Sequence, residues 1–151
     1  MGKRIKIIAD DKIPFLKGVF EDYADIEYHK GSEITKGIVK DADAVITRTR
    51  TICNADLLEN SSVKLITTAT IGYDHIDTNY CEQAGIKWLN APGCNSSSVR
   101  QYIASALVVL SQKQNFNFTD KTIGIVGVGN VGIKIAGIAE MMGMKVLLCD
   151  P

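Results

Sequence analysis

The chain has 151 residues, 46% of them hydrophobic, and its 17 Lys and Arg balance 17 Asp and Glu. That is enough apolar material for a real core, and the even charge gives no reason to expect a nucleic-acid or anionic-membrane partner. No apolar run is long enough to span a bilayer, and MGKRIKIIADD meets acids too soon for a signal peptide.

Residues 4–9 (RIKIIA) read as a first strand, with Asp10 and Asp11 at its end. Phe15, Val19 and Phe20 predict one face of a helix ending near Asp22. Ile26 and Tyr28 alternate with charges as a second, half-exposed strand. A short helix around Lys36–Lys40 leads to a third strand, Ala44 to Ile46, which runs into TRTRT at 47–51. Asn54 or Asp56 begins another short helix, with Leu57 and Leu58. A fourth strand, Leu65 to Thr67, precedes TATIGYDHID at 68–77. A helix through Tyr80 and Ala84 stops at Gly85, and Lys87 to Leu89 form a fifth strand, followed by NAPGCN at 90–95. Short apolar strands alternating with helices predict a parallel sheet with helices on both faces. Ligands of such sheets sit beyond the carboxyl ends of the strands, where the three polar segments fall.

Ser96, Ser97 and Ser98 offer N-caps for a long helix with Val99, Ile103, Leu107 and Leu110 along one face. A boundary near Asn95 divides a domain of residues 1–95 from a connector helix and second domain over 96–151. In the latter, Ile123, Ile125 and Val126 suit a strand buried on both faces. Gly127, Gly129 and Gly132 follow in G-x-G-x-x-G spacing. A helix with Val131, Ile135, Ile138 and Met142 on one face ends at Gly143. Val146 to Leu148 make a second buried strand, closed by Asp150.

Each glycine has a physical job there: a tight turn at Gly127, close approach of a pyrophosphate at Gly129, and close helix–strand packing at Gly132. Asn130 and Val131 head the helix, whose N-terminus offers N–H groups and partial positive charge to phosphates. A carboxylate at Asp150 accepts hydrogen bonds from a ribose 2′-OH and repels a 2′-phosphate. The expected cofactor is therefore NAD rather than NADP.

TATIGYDHID, NAPGCNSSSV and GIVGVGNVG, in this order and spacing, resemble the D-isomer-specific 2-hydroxyacid dehydrogenases. The resemblance runs from the first strand to Pro151. It implies an α/β fold: a flavodoxin-like parallel-sheet lid that binds substrate, then the first βαβ unit of a Rossmann NAD-binding domain. It also implies NAD-dependent oxidation of a small phosphorylated 2-hydroxy acid in a cytoplasmic homodimer. By position, Thr49 and Thr70 match substrate-contacting residues, and Asp150 matches the ribose-binding acid. The family's catalytic Arg, Glu and His come from later parts of its nucleotide domain. Neither His29 nor His75 matches that histidine, so the catalytic residues are expected beyond residue 151, and residues 1–151 alone are expected to be inactive.

Several features have plainer readings. Arg48 and Arg50 suit a phosphate or carboxylate, but strand alternation would send only one of them to a cleft, and Arg48 is the candidate. Asp74, His75 and Asp77 look superficially like a metal site; Asp74 is expected instead to cap a helix with His75 in its first turn. Cys53, Cys81, Cys94 and Cys149 lack C-x-x-C spacing, so neither zinc nor a disulfide framework is expected, and the setting reads as reducing. Cys94 reads as a loop residue rather than a nucleophile. Other members' chemistry (phosphoglycerate, glyoxylate or hydroxypyruvate) and a non-catalytic NAD-sensing module are the alternatives.

Overall fold

Five parallel strands form the first sheet of a computed structural model that describes residues 4–150. They are β1 (Ile5–Asp10), β2 (Ala24–His29), β3 (Ala44–Thr47), β4 (Leu65–Thr68) and β5 (Lys87–Leu89). The spatial order is β2-β1-β3-β4-β5, the flavodoxin-like arrangement, whose order reverses between β1 and β3. The register places Ile8 beside Val45 and Val45 beside Ile66. All three are fully buried, each worth roughly 1.5–3 kcal/mol in apolar burial.

Three short helices cover that row: α1 (Lys36–Val39), α2 (Ala55–Leu58) and α3 (Thr78–Gln83). Val39, Leu57, Leu58 and Cys81 from these helices join Ile8, Val45 and Ile66 in one core cluster. Asn54, not Asp56, caps α2, its side chain accepting from the Leu57 N–H at 3.3 Å. The opposite face holds a smaller cluster built from strands alone: Ile7, Ala24 and Ala44, with Ile26, Ile46 and Leu65 against it. Among the described residues of this unit, the helices on both faces that the alternation predicts are not found.

The reason lies between β1 and β2. The helix expected through Phe15, Val19 and Phe20 is absent, and residues 11–23 run through successive turns. Phe15 has φ +60° and Gly18 φ +86°, neither compatible with a right-handed helix. Phe15 is 96% exposed, so its spacing from Val19 does not mark a buried face.

The described residues divide into two compact units, one ending at Pro92 and the next beginning at Gly93. The second contains α4 (Ser96–Gln114), β6 (Thr122–Val126), α5 (Gly132–Met141) and β7 (Lys145–Cys149). β6 and β7 pair in parallel, Ile125 beside Leu148. The buried face of α5 is made of Gly132, Ala136 and Ala139, small residues that let the helix lie close to its neighbours. Ile135 and Ile138, expected to mark that face, are only half-buried.

The strands were expected to be buried on both faces. Ile125 is buried, but Val126 is 80% exposed and Leu147 and Leu148 about half exposed. A two-stranded sheet has two open edges, and one or two helices cover only part of it. On α4, Val99, Ile103 and Leu107 are half-buried, whereas Leu110 is exposed. The serines do not cap this helix. Asn95 is the N-cap and makes no side-chain cap bond, while the Ser96 hydroxyl donates back to the Gly93 carbonyl at 2.6 Å.

Candidate functional site

In the first unit, the carboxyl ends of β1, β3 and β4 carry the polar residues. β3 stops at Thr47, and Arg48 to Arg50 turn away from it, with the Thr51 N–H reaching the Arg48 carbonyl at 3.4 Å. Strand alternation therefore ends at Thr47, and Arg48 and Arg50 both line one cavity of about 210 Å3. That corrects the expectation that a single arginine faces a cleft. Asp10, Asp11, Lys12 and Lys30 line the same cavity. Arg48 donates to the Lys12 carbonyl at 2.8 Å. Asp10 is nearly buried and accepts the Lys12 N–H at 2.8 Å. Oδ1 of Asp11 is buried with no hydrogen-bond partner among the described residues. Lys30 is paired with Glu33 at 2.9 Å and Lys12 with Asp11 at 3.7 Å, so the excess of positive charge in this pocket comes from Arg48 and Arg50 set against Asp10.

Thr49 points elsewhere. It is exposed and lines a second cavity, of about 300 Å3, with Ile52, Gly72, Asp74 and His75. Two connections hold the 70–77 loop beside Thr49. Cys53 and Ile76 form a parallel bridge, with the Cys53 N–H on the His75 carbonyl at 2.7 Å and the Asp77 N–H on the Cys53 carbonyl at 2.9 Å. From β5, the Asn90 side chain donates to the Ile71 carbonyl at 2.8 Å, and Tyr73 packs on Trp88 with ring centroids 4.7 Å apart.

Inside the loop, Thr70 donates to the Gly72 carbonyl at 2.8 Å, and its hydroxyl lies 2.6 Å from that of Thr68. The Thr68 hydroxyl lies 3.1 Å from His75 Nε2. Thr68 and His75 are both buried. Burial holds His75 below the ordinary histidine range, against a smaller upward pull from Asp74.

His75 thus sits in a tight turn, the Ile76 N–H on the Tyr73 carbonyl, and not in a helix. Asp77, rather than Asp74, is the N-cap of α3, accepting the Tyr80 N–H at 3.0 Å. A carboxylate followed by a short helix is a good cap signal, but two aspartates compete for it and only Asp77 has the spacing to reach N3. No cluster of three metal-ligating side chains occurs among the described residues.

In the second unit the glycine turn has the geometry its spacing calls for. Gly127 adopts φ +89°, open to glycine and costly for other residues, as the chain leaves β6. A Cβ on Gly132 would lie 2.0 Å from the Gly127 carbonyl oxygen, so α5 begins where only glycine fits. A Cβ on Gly129 would meet nothing within 4 Å. Asn130 is exposed beside it and Val131 half-buried at the N-cap of α5. The Ile133 N–H is bonded to the Gly129 carbonyl at 3.1 Å, which leaves the preceding amides at the mouth of the helix. Asp150 follows β7 and accepts the Val128 N–H at 3.0 Å, tying the acid to the glycine turn.

These features fit NAD: open space over Gly129, a helix N-terminus beyond it and a carboxylate on the turn. Gly129, Asn130 and Val131 would face its pyrophosphate and Asp150 its ribose. Sequence reasoning missed three supports. Lys134 donates to the hydroxyls of Ser96 and Ser97, at 2.7 and 2.9 Å, and fixes the start of α4 against α5. Gly93 leaves room for Asn130. Thr68 carries the loop network; its place as the last residue of β4, two before Thr70, was the available signal.

Strand, glycine turn, helix, strand and terminal carboxylate make the second unit the first βαβ unit of a Rossmann nucleotide-binding domain, preceded by a flavodoxin-like unit. The chain belongs to the D-isomer-specific 2-hydroxyacid dehydrogenase family, whose catalytic-domain model matches residues 5–136. Among curated relatives, it is 58% identical over 147 residues to an erythronate-4-phosphate dehydrogenase of Bacteroides thetaiotaomicron, covering 97% of this chain and 42% of the relative. It is 43% identical to the enzyme of that name in Porphyromonas gingivalis, covering 97% of this chain and 40% of the relative. The chain thus spans about two fifths of the length of these relatives.

Among solved structures, the NAD+-bound 3-phosphoglycerate dehydrogenase of Entamoeba histolytica superposes with a TM-score of 0.75 at 29% identity. The match covers 99% of this chain and 55% of the other. The apo D-lactate dehydrogenase of Escherichia coli gives 0.77 at 19% identity, covering 97% and 55%, and so attests the fold.

Proposed function

We propose that this chain supplies the substrate loops and the first cofactor contacts of an enzyme that oxidises 4-phospho-D-erythronate at its C2 hydroxyl. The product would be 2-oxo-3-hydroxy-4-phosphobutanoate, an early intermediate of pyridoxal 5′-phosphate biosynthesis, made by a cytoplasmic homodimer. The observation that carries the reading is 58% identity over nearly the whole chain to a relative named for that activity. Bound NAD would accept the hydride from C2. The chain's own part is to bind and orient. Thr49 and Thr70 would contact the substrate, and Arg48, in a cavity with excess positive charge, suits its phosphate or carboxylate. Gly127, Gly129, Asn130, Val131, Gly132 and Asp150 would hold the cofactor. Neither histidine is assigned the hydroxyl proton: His29 lies 3.4 Å from Glu27 on the surface, and His75 is engaged with Thr68.

The test is a panel of hydroxy acids offered with NAD to a full-length enzyme containing these residues, following NADH formation. Erythronate 4-phosphate should give the highest kcat/KM, ahead of 3-phosphoglycerate, glycerate and glycolate. Thr49→Ala and Thr70→Ala should each raise its KM roughly tenfold, as for one lost hydrogen bond, with NAD affinity little changed. Preference for an unphosphorylated acid would overturn the reading.

A further inference from the structure

The loop network between His75 and Gly72 has only one arrangement of protons. A carbonyl oxygen only accepts, so the 2.8 Å contact between Thr70 and the Gly72 carbonyl uses the Thr70 hydroxyl proton. The 2.6 Å contact between the Thr68 and Thr70 hydroxyls must then be donated by Thr68. Thr68 has no second proton, so its 3.1 Å contact with His75 requires the proton on Nε2. The chain therefore runs one way, from His75 Nε2–H to Thr68, to Thr70, to the Gly72 carbonyl. Thr68 is 3% and His75 6% exposed, so water is largely kept from competing at its buried end.

The direction has a chemical consequence at the exposed end. A hydroxyl has one donor and two acceptor sites. Thr70 donates to Gly72 and accepts from Thr68, which leaves a single lone pair. We propose that His75 is a positioning residue which, through Thr68, holds the Thr70 hydroxyl with its one proton turned to the Gly72 carbonyl, so that Thr70 presents only an acceptor and recognises a hydroxyl group of the substrate and not its carboxylate or phosphate oxygens. This rests on the reading of Thr70 as a substrate contact. His75 and Thr49 line the same cavity, which places the network beside the other threonine assigned to substrate. The His75 side chain itself touches no reacting atom in this scheme.

The first measurement needs no substrate. In the protein labelled with 15N-histidine, long-range 1H–15N spectra near pH 7.5 should show His75 as the Nε2–H tautomer, with a pyrrole-like Nε2 and a pyridine-like Nδ1. His29→Gln identifies the remaining signal. The second uses a full-length enzyme. His75→Gln retains an N–H near the Nε2 position and should leave KM for the hydroxy acid within about threefold. His75→Leu and Thr68→Val should each raise it about tenfold, with kcat within twofold and no further loss in the double variant. A circular dichroism melt checks that each variant folds. An Nδ1–H or averaged tautomer overturns the proposal, as does a folded His75→Leu enzyme with unchanged KM alongside an impaired Thr70→Val. If Thr70→Val itself leaves KM unchanged, the substrate reading of Thr70 fails and the specificity claim falls with it, whatever the tautomer.

Discussion

Gly93 stands where a side chain would strike Asn130: a Cβ added there would lie 2.9 Å from the Asn130 Cγ. Its φ of +73° adds a second requirement for glycine. Gly93 and the turn that follows β6 are thus fitted to each other within the second unit. Gly93→Ala should destabilise that unit by about 1–2 kcal/mol from the left-handed backbone alone, with more from displacing Asn130. Thermal unfolding should show it as a Tm lowered by several degrees. NAD affinity, by titration calorimetry, should fall with it. An alanine variant that melts and binds like the parent would mean that Asn130 moves aside freely.

The three glycines of the turn should separate into two kinds. A Cβ on Gly132 meets backbone, the Gly127 carbonyl at 2.0 Å, and nothing flexible can give way. Gly132→Ala should cost folding stability, by about 1–3 kcal/mol or more as in other overpacked sites, and lose cofactor binding as a consequence. A Cβ on Gly129 meets nothing within 4 Å, so Gly129→Ala should melt normally and still bind NAD at least tenfold more weakly, because the methyl would occupy the space proposed for the pyrophosphate. Equal loss of stability in both variants would remove the distinction.

Much of this architecture was legible in the sequence because it depends on short-range chemistry. The strands of the first sheet are short apolar runs bounded by polar ends, or in β2 an alternation of apolar and charged residues, and the glycine turn depends on residues within six positions of one another. The segment from Asp11 to Tyr23 misled because Phe15, Val19 and Phe20 share a helical spacing while the backbone at Phe15 and Gly18 takes positive φ. The half-exposed strands β6 and β7 misled because burial depends on how many neighbours a strand has, which its own apolar run does not state. Lys134 reaching Ser96 joins residues 38 apart through a long flexible side chain, and no local pattern announces such a contact. His75 was assigned a helix position because the choice between Asp74 and Asp77 as cap is decided by loop geometry.

The cysteines should divide evenly by reactivity. Cys53 and Cys81 are fully buried, whereas Cys94 and Cys149 are exposed. Burial pushes the Cys53 thiol up to about 12 and Cys81 above its ordinary value, with small contributions from Cys81 and Asp77 respectively. At pH 8 a thiol of that acidity is only about one part in ten thousand thiolate, the reactive form. A thiol reagent under native conditions should modify Cys94 and Cys149 within minutes and leave Cys53 and Cys81 intact until denaturant is added. Peptide mass spectrometry assigns each site. Fast native modification of Cys53 would show that the core around β3 opens readily.

Asp150 makes one bond in the structure and is proposed to make another to the cofactor, and one pair of substitutions can separate the two. Its carboxylate accepts the Val128 N–H at 3.0 Å, which ties the end of β7 to the glycine turn, and on the proposed reading it would also accept from a ribose hydroxyl. Asp150→Asn keeps one acceptor oxygen for the Val128 N–H and an amide that can still donate to a ribose hydroxyl oxygen, but removes the negative charge that would repel a 2′-phosphate. Asp150→Ala removes acceptor and charge together. In a full-length enzyme, Asp150→Asn should therefore hold its KM for NAD within a few-fold while use of NADP rises roughly tenfold, the scale of one relieved like-charge contact near the surface. Asp150→Ala should lose NAD affinity by roughly tenfold as well, for the missing ribose bond. Adding an arginine nearby should shift preference further towards NADP. The measurement is kcat/KM for each cofactor at fixed ionic strength, since surface charge effects are screened by salt. A parent enzyme that uses both cofactors equally, or an Asp150→Asn variant that still excludes NADP, would show that Asp150 does not read the ribose.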